Sequence, residues 1–432
     1  MSRGAVVGER TTADGAGEGR ADGPSRLGPV AGLKHALSLP ATSFVLVLVS
    51  VLALTGFGLI MVLSASSITA YDGGEGSSFG IVARQAAFAV VGLAMMLVLS
   101  RLGPRWWRPL AWVAFVLALL LQAATLTPLG VEVNGSQSWI KVGGGMRVQP
   151  AEFVKVAFAL WLGAVLSHEA VRTHALRTWG TAVGGLAAAG GLIMLGHDLG
   201  TAMMVFLLFM GALFVSDLPI VASFGTAAAG AGAVALFVLS SPNRLRRIAA
   251  SLGGRDDASQ VDLLGAHWQS AHGEYALASG GIFGVGLGAS REKWSWLPEA
   301  HNDFIFAIIG EELGLVGSLL VVGLFILLGW GLLRVSLRAA DPLMRITSMA
   351  VFMWIIGQAA VNVAVVIQLL PVIGVPLPYV SYGGSALIAN LIAAGLVLAF
   401  ARQEPGAADA LAWRRSRRRP LSILARRSGG RP

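Results

Sequence analysis

An all-α polytopic membrane protein is the fold class that three features of this chain predict. Its 432 residues are 55% hydrophobic and only 13% charged, so most of its length must face lipid or other buried helices. Apolar runs long enough to cross a hydrocarbon core recur along it, about ten in all by the ~20-residue requirement. Lys and Arg cluster in alternate connections, which places both termini on the cytoplasmic side. There is no cysteine, which excludes disulfides, thiolate metal sites and thiol nucleophiles.

Residues 1–40 are rich in Gly, Ala, Arg and Glu without apolar periodicity and are expected to form a disordered cytoplasmic leader. The first apolar run begins too late for a signal peptide. Phe44 to Leu63 carries no charge and opens a transmembrane domain expected over 41–402. Further spans are expected near 80–101, 106–127, 149–167, 178–196, 199–215, 218–240, 303–333, 344–370 and 384–401. The inner connections then hold Arg101, Arg105 and Arg108, next Arg172 and Arg177, and later Arg334, Arg338 and Arg345.

Two outer segments exceed an ordinary turn, residues 128–148 and a large extracellular loop over 241–302 between spans 7 and 8. The second carries Arg244, Arg246, Arg247, Arg255, Arg291 and Lys293; long loops cross largely regardless of charge, so these residues leave the orientation intact. Within it, Gln269 to Ile282 is expected to be a helix lying along the interface or re-entering it. Gly280 to Gly288 then supplies either flexibility or a close backbone approach. The tail, 403–432, is basic; with Arg402 its arginines, against Glu404 and Asp409, supply most of the net charge of +9. Beside a membrane such a tail reads as topology and attraction to anionic lipids, with no nucleic-acid partner expected.

Four polar stretches stand out against this apolar background, where ionisable groups are costly. In LPEAHNDFIFAIIGEELG, Leu297 to Gly314, Asn302 or Asp303 fits an N-cap for a helix starting at Phe304. Alternatively, Asp303 with His301 and Glu299 at the boundary can take a proton from a sugar hydroxyl or hold a divalent cation such as Mg2+ or Mn2+. Glu311 and Glu312 lie two turns deeper, where burial favours pairing with cations. In Asn134 to Phe158, Gln149-Pro150 leads into a helix on which Glu152 and Lys155 share a face and can pair. Trp139 there is an interfacial aromatic or a platform for a sugar or lipid head. His197 to Ala202 (HDLGTA) makes a short outer turn with Asp198 as a cap. Pro376 to Asn390, with Ser381, Gly383, Gly384 and Ser385, breaks the helical pattern at membrane depth, for cavity lining or for close packing. Walker-type loops, zinc-ligand helix motifs and nucleophile elbows are absent.

Taken in order, these stretches resemble the SEDS family (the FtsW/RodA/SpoVE group), polytopic glycosyltransferases of bacterial cell-wall synthesis. The resemblance runs from GLIMVLSAS, Gly58 to Ser66, to the last span, and LPEAHNDFIFAIIGEELGLVG looks more like the cell-division branch than the elongation branch. It implies polymerisation of lipid II into glycan strands on the outer face of the plasma membrane, at the division septum. It also implies a class B penicillin-binding protein and other divisome proteins as partners. The family's outer-loop Asp maps onto Asp303, its acid-base pair onto Glu152 and Lys155, and its loop Trp onto Trp139. On that basis Asp303 is expected as general base, with Lys155, Arg244, Arg246 or Arg247 contacting the departing diphosphate. His197 departs from a common Pro, and Asn302 from a common Thr. Two other readings fit a chain of this kind, a lipid II flippase and a non-catalytic scaffold activating the transpeptidase. The gathering of acids and long loops on the outer side favours chemistry there.

Overall fold

The structure, a computed structural model, describes residues 41–72, 79–133, 135–143, 146–167, 174–239, 266–294, 296–407 and 410. The expected leader, the arginines at 244, 246 and 247 and nearly all of the basic tail lie outside the described residues. The helices are α1 (Thr42–Asp72), α2 (Gly80–Leu99), α3 (Trp107–Ala124), α4 (Pro150–Leu166), α5 (Ala175–Leu195), α6 (Leu199–Phe214) and α7 (Ile220–Leu239). After the large loop come α8 (Ala266–Gly280), α9 (Ile305–Arg338), α10 (Pro342–Val366) and α11 (Gly384–Ala401). Every expected span meets a helix. Seven of the described helices are long and apolar enough to cross a membrane. The helices α4 and α6 have only 17 and 16 residues.

The centre of the bundle is α4. All of its residues except Phe153 are buried, and it packs against α3, α5, α6, α10 and α11. Such all-round burial requires a helix apolar on every side, and PAEFVKVAFALWLGAVL meets that except at Glu152 and Lys155. Aromatic packing ties α3 to this hub, since Phe115 stacks on Trp161 with centroids 4.5 Å apart. The helix α11 lies against α2, and α9 against α1 and α10.

Between α3 and α4 the outer segment folds as a three-stranded antiparallel sheet, β1 (Gly130–Val133), β2 (Ser136–Gly143) and β3 (Met146–Val148). Val131 faces Trp139, and Ile140 faces both Gly130 and Val148. The sheet docks on the α5–α6 turn, because Gln137 N–H and Ser136 Oγ both donate to the Gly196 carbonyl, at 2.9 Å each.

The span expected at 303–333 is a helix with a break inside it. Gly314 sits at φ 67°, ψ −161° inside α9, and the chain after α8 inserts its backbone into the gap. Val285 and Gly286 donate to the carbonyls of Glu311 and Glu312, while Leu315 and Val316 donate to those of Gly281 and Ile282. These four bonds satisfy groups that the break would otherwise strand at membrane depth. Glycine is required at the crossing, since a Cβ on Gly284 would lie 2.2 Å from the Glu312 carbonyl. The glycine-rich segment 280–288 is therefore a close backbone approach. The helix before it, α8, packs on α9 and α10.

Candidate active site

Asp303 stands in a turn just ahead of α9. Asn302 and Asp303 do not cap this helix: the cap position is Phe304, with no side-chain bond. The reason lies in Glu299, which takes up a left-handed backbone conformation at φ 55°. Its carbonyl accepts from both Asn302 N–H (3.0 Å) and Phe304 N–H (3.2 Å). The backbone thus satisfies the orphan donor, and the Asp303 carboxylate has no donor among the described residues.

Burial first, and then the charges of Glu299 and Asp198, push the Asp303 carboxyl up from 3.8 to about 7. Withdrawal from water disfavours its charged form, and two nearby acids disfavour it further. His301, two residues away, is held below its ordinary value by burial, against the opposing pull of Glu299. Its ring meets Tyr382 edge-on with centroids 5.5 Å apart.

The loop after α10 completes the surroundings. Ser381 Oγ donates to the Asn302 carbonyl at 2.7 Å and accepts Leu377 N–H at 2.8 Å. Tyr382 N–H donates to the His301 carbonyl at 2.9 Å. Gly383 N–H donates to Gln85 Oε1, Gln85 Nε2 returns a bond to the Ser381 carbonyl, and Gly384 packs on the Phe88 ring. Ser385 Oγ accepts Gln149 N–H at 3.3 Å. Both alternatives for this non-helical stretch meet here: Ser381 braces the Asp303 turn, and Gly384 serves close packing.

Glu152 and Lys155 pair at 2.8 Å across one turn of α4, with side chains only 3% and 2% exposed. The Lys155 ammonium also donates to Gln358 Oε1 at 3.1 Å and sits 4.7 Å over the Trp354 ring. So enclosed, it offers no free donor to a diphosphate, and its role shifts from contact to support. Gln358 passes that support on by donating to the Pro376 carbonyl at 2.8 Å. Trp139 is half-buried in β2.

Asp198 caps α6 as expected, accepting from Thr201 N–H and hydroxyl at 2.9 Å each. It also accepts from Gln149 Nε2 at 2.9 Å. His197 beside it sits at φ 61°, which a proline cannot adopt, so the departure at this position comes with its own turn geometry. Glu311 accepts from Ser290 Oγ and Arg291 N–H, and Glu312 pairs with Lys293 at 3.1 Å and with Ser64. Both acids are bound to the inserted segment rather than to the Asp303 turn. Among the described residues no three His, Asp or Glu side chains converge as metal ligands, and the Asp198 oxygens are already engaged. A divalent cation held by Asp303 would therefore take its other ligands from substrate phosphates and water.

Gln358, Asn362 and Trp354 join the site from α10, at i, i+4 spacing on one face; polar groups recurring at helical period in a span are the signal that sequence carries for them.

A family model described as cell cycle protein, FtsW/RodA/SpoVE, matches residues 44–405. A Mycobacterium tuberculosis protein named probable peptidoglycan glycosyltransferase FtsW is 37% identical over 95% of this chain and 77% of its own length. The stage V sporulation protein E of Bacillus subtilis is 36% identical over 83% of this chain and 96% of its own. Among solved structures, a chain from a peptidoglycan synthase complex that coordinates polymerization and crosslinking superposes with a TM-score of 0.65 at 26% identity, covering 83% of this chain and 97% of that one. The Thermus thermophilus rod shape determining protein RodA gives 0.60 at 27% identity, with 83% and 96% covered.

Proposed function

Because this chain belongs to the FtsW/RodA/SpoVE family of cell cycle proteins, we propose that it is a peptidoglycan glycosyltransferase polymerising lipid II at the outer face of the plasma membrane, with Asp303 as general base. One observation carries the role of Asp303. Among the described residues no donor bonds its carboxylate, in a turn that the Glu299 backbone and Ser381 hold in place, and its ionisation lies near neutrality, where a general base works best.

In the reaction, Asp303 takes the proton of the acceptor sugar hydroxyl. The hydroxyl oxygen forms the new bond to the anomeric carbon of the donor. The bond from that carbon to the diphosphate breaks, and its electron pair leaves with undecaprenyl diphosphate. Attack opposite the leaving group inverts configuration. His301, kept neutral by burial, adds no competing positive charge beside the base. Arg244, Arg246 and Arg247 are assigned to the departing diphosphate on charge and their place in the outer loop, since cations there stabilise the charge that develops. No step is routed through a metal.

A class B penicillin-binding protein is the proposed crosslinking partner, with other divisome proteins and a septal location. Likeness to a chain of a polymerization and crosslinking complex supports the first, and likeness to proteins named FtsW supports the second. The test is strand formation from labelled lipid II by the purified protein with its cognate transpeptidase inhibited, comparing wild type with Asp303→Ala at matched folding. Polymer from wild type and none from the variant is expected. Polymer from both would remove Asp303 from the chemistry; no polymer from either, with lipid II crossing vesicle membranes, would replace the enzyme by a flippase.

A further inference from the structure

We propose that Asn362 is a positioning residue for glycosyl transfer, one side-chain amide on α10 that holds the Asp303 backbone and the Val375 turn in a single register. The inference rests on the reading of Asp303 as the base. Asn362 is 2% exposed, and its Nδ2 donates to the Asp303 carbonyl and to the Val375 carbonyl, at 2.8 Å each. Both partners are carbonyls, so only the NH2 end of the amide can serve them, and the orientation of the group follows from chemistry.

Its other end is telling. Asn362 Oδ1 is buried without a partner among the described residues, an arrangement that native proteins usually avoid. A leucine of similar size would carry no such penalty in an apolar bundle, so packing does not account for an asparagine. The two donated bonds do.

Asp303 lies before the first turn of α9, outside the helix's own hydrogen-bond ladder, and Asn362 fixes its peptide from the neighbouring helix. The same amide fixes Val375. Gly374, next to it, has φ 77° and lies close enough that a Cβ there would be 3.6 Å from Asp303 Oδ2. Loop and carboxylate are therefore registered to each other through one group. One helical turn earlier Gln358 repeats the device, donating to the Pro376 carbonyl while its Oε1 accepts from Lys155 and from Trp354 Nε1. Two successive carbonyls of the loop are thus stitched to α10. The buried Glu152–Lys155 pair anchors the far end.

The test uses full-length protein with its crosslinking partner and labelled lipid II. Asn362→Leu keeps the size and removes both donors. It is expected to lower kcat by about 10- to 100-fold, the scale on which misplacement by about 1 Å acts, with KM within about threefold and the unfolding temperature unchanged within a few degrees. Asn362→Ala, which cannot overpack, should fall likewise, and Asn362→Gln, which keeps the NH2 group, should recover part of the rate. Wild-type kcat in Asn362→Leu, or a loss matched by a fall in unfolding temperature or a rise in KM, would overturn the positioning role. Asp303→Asn run in parallel separates the two readings. If it still polymerises, the base assignment fails and this inference with it; if it is inactive while Asn362→Leu turns over normally, only the inference fails.

Discussion

Removing Lys155 should harm the protein more than removing Glu152, although the two form one ion pair. Lys155 has three partners: Glu152 Oε1 at 2.8 Å, Gln358 Oε1 at 3.1 Å and the Trp354 ring at 4.7 Å. Glu152 has one, because its Oε2 is buried without a partner among the described residues. In Lys155→Met the carboxylate is left buried and alone, a situation that costs about 3–5 kcal/mol. The cation–π contact, worth roughly 0.5–2 kcal/mol, goes with it. In Glu152→Gln the ammonium keeps an amide and an aromatic face, so the expected loss is smaller, about 1.5–3 kcal/mol for a charged hydrogen bond. Replacing both by apolar residues (Glu152→Leu with Lys155→Met) removes the uncompensated charge, and the double variant should be milder than Lys155→Met alone. At about 2 °C per kcal/mol for a chain of this size, Lys155→Met should unfold roughly 6–10 °C early in detergent. Unfolding by heat followed through tryptophan fluorescence measures all three variants. Equal losses from the two single variants, or losses that simply add in the double variant, would refute the asymmetry.

Three further outcomes follow from the geometry. A base that ionises near 7 makes polymerisation rise as pH increases through about 7 and fall below it, since the deprotonated form is the active one. Glu299→Gln removes one of the charges that raise the carboxyl, so that limb of the pH–rate profile should move to lower pH; an unmoved or rising limb would exclude Asp303 as its source. Gly314→Ala forces a side chain into a conformation that costs about 1–3 kcal/mol and places its Cβ 2.4 Å from Gly284 N, so folded protein in membranes should drop sharply by size-exclusion yield. Lys293→Met leaves Glu312 buried with Ser64 as its one side-chain partner among the described residues, and hydrogen exchange should then quicken at Val285 and Gly286, whose amides bond into α9, while α4 amides stay protected.

The spans were legible because a lipid solvent demands long apolar runs, and all ten expected segments meet a helix. Asp303 and the Glu152–Lys155 pair were legible for the same reason, charge being rare and costly in such surroundings. The outer sheet has a sequence signal of its own, since an Asn-Gly dipeptide between the runs VEV and SQSWIKV favours a hairpin, though the segment reads first as a long outer connection. Asp303 as an alternative helix cap could not be settled from spacing, because the competing acceptor is a main-chain carbonyl, that of Glu299, and sequence carries no mark of where a carbonyl points. Nor could Asn362 be tied to Asp303, since 59 positions separate them along the chain and only the packing of α10 on α9 brings them together.

The interruption of α9 explains the paired acids that lie beyond it. Glu311 gives its carboxylate to Ser290 Oγ and Arg291 N–H and its carbonyl to Val285 N–H. Glu312 gives its carboxylate to Lys293 and Ser64 and its carbonyl to Gly286 N–H. Each residue therefore grips the same inserted segment twice, once by main chain and once by side chain. A helix broken at membrane depth strands backbone groups that lipid cannot satisfy. A segment that replaces them must also be held against departure, and a buried ion pair is specific in register where apolar packing alone is not. Two buried acids that call for partners thus seal a break, and Asp303 is the acid of that stretch whose carboxylate no described donor engages, in keeping with the base role proposed for it.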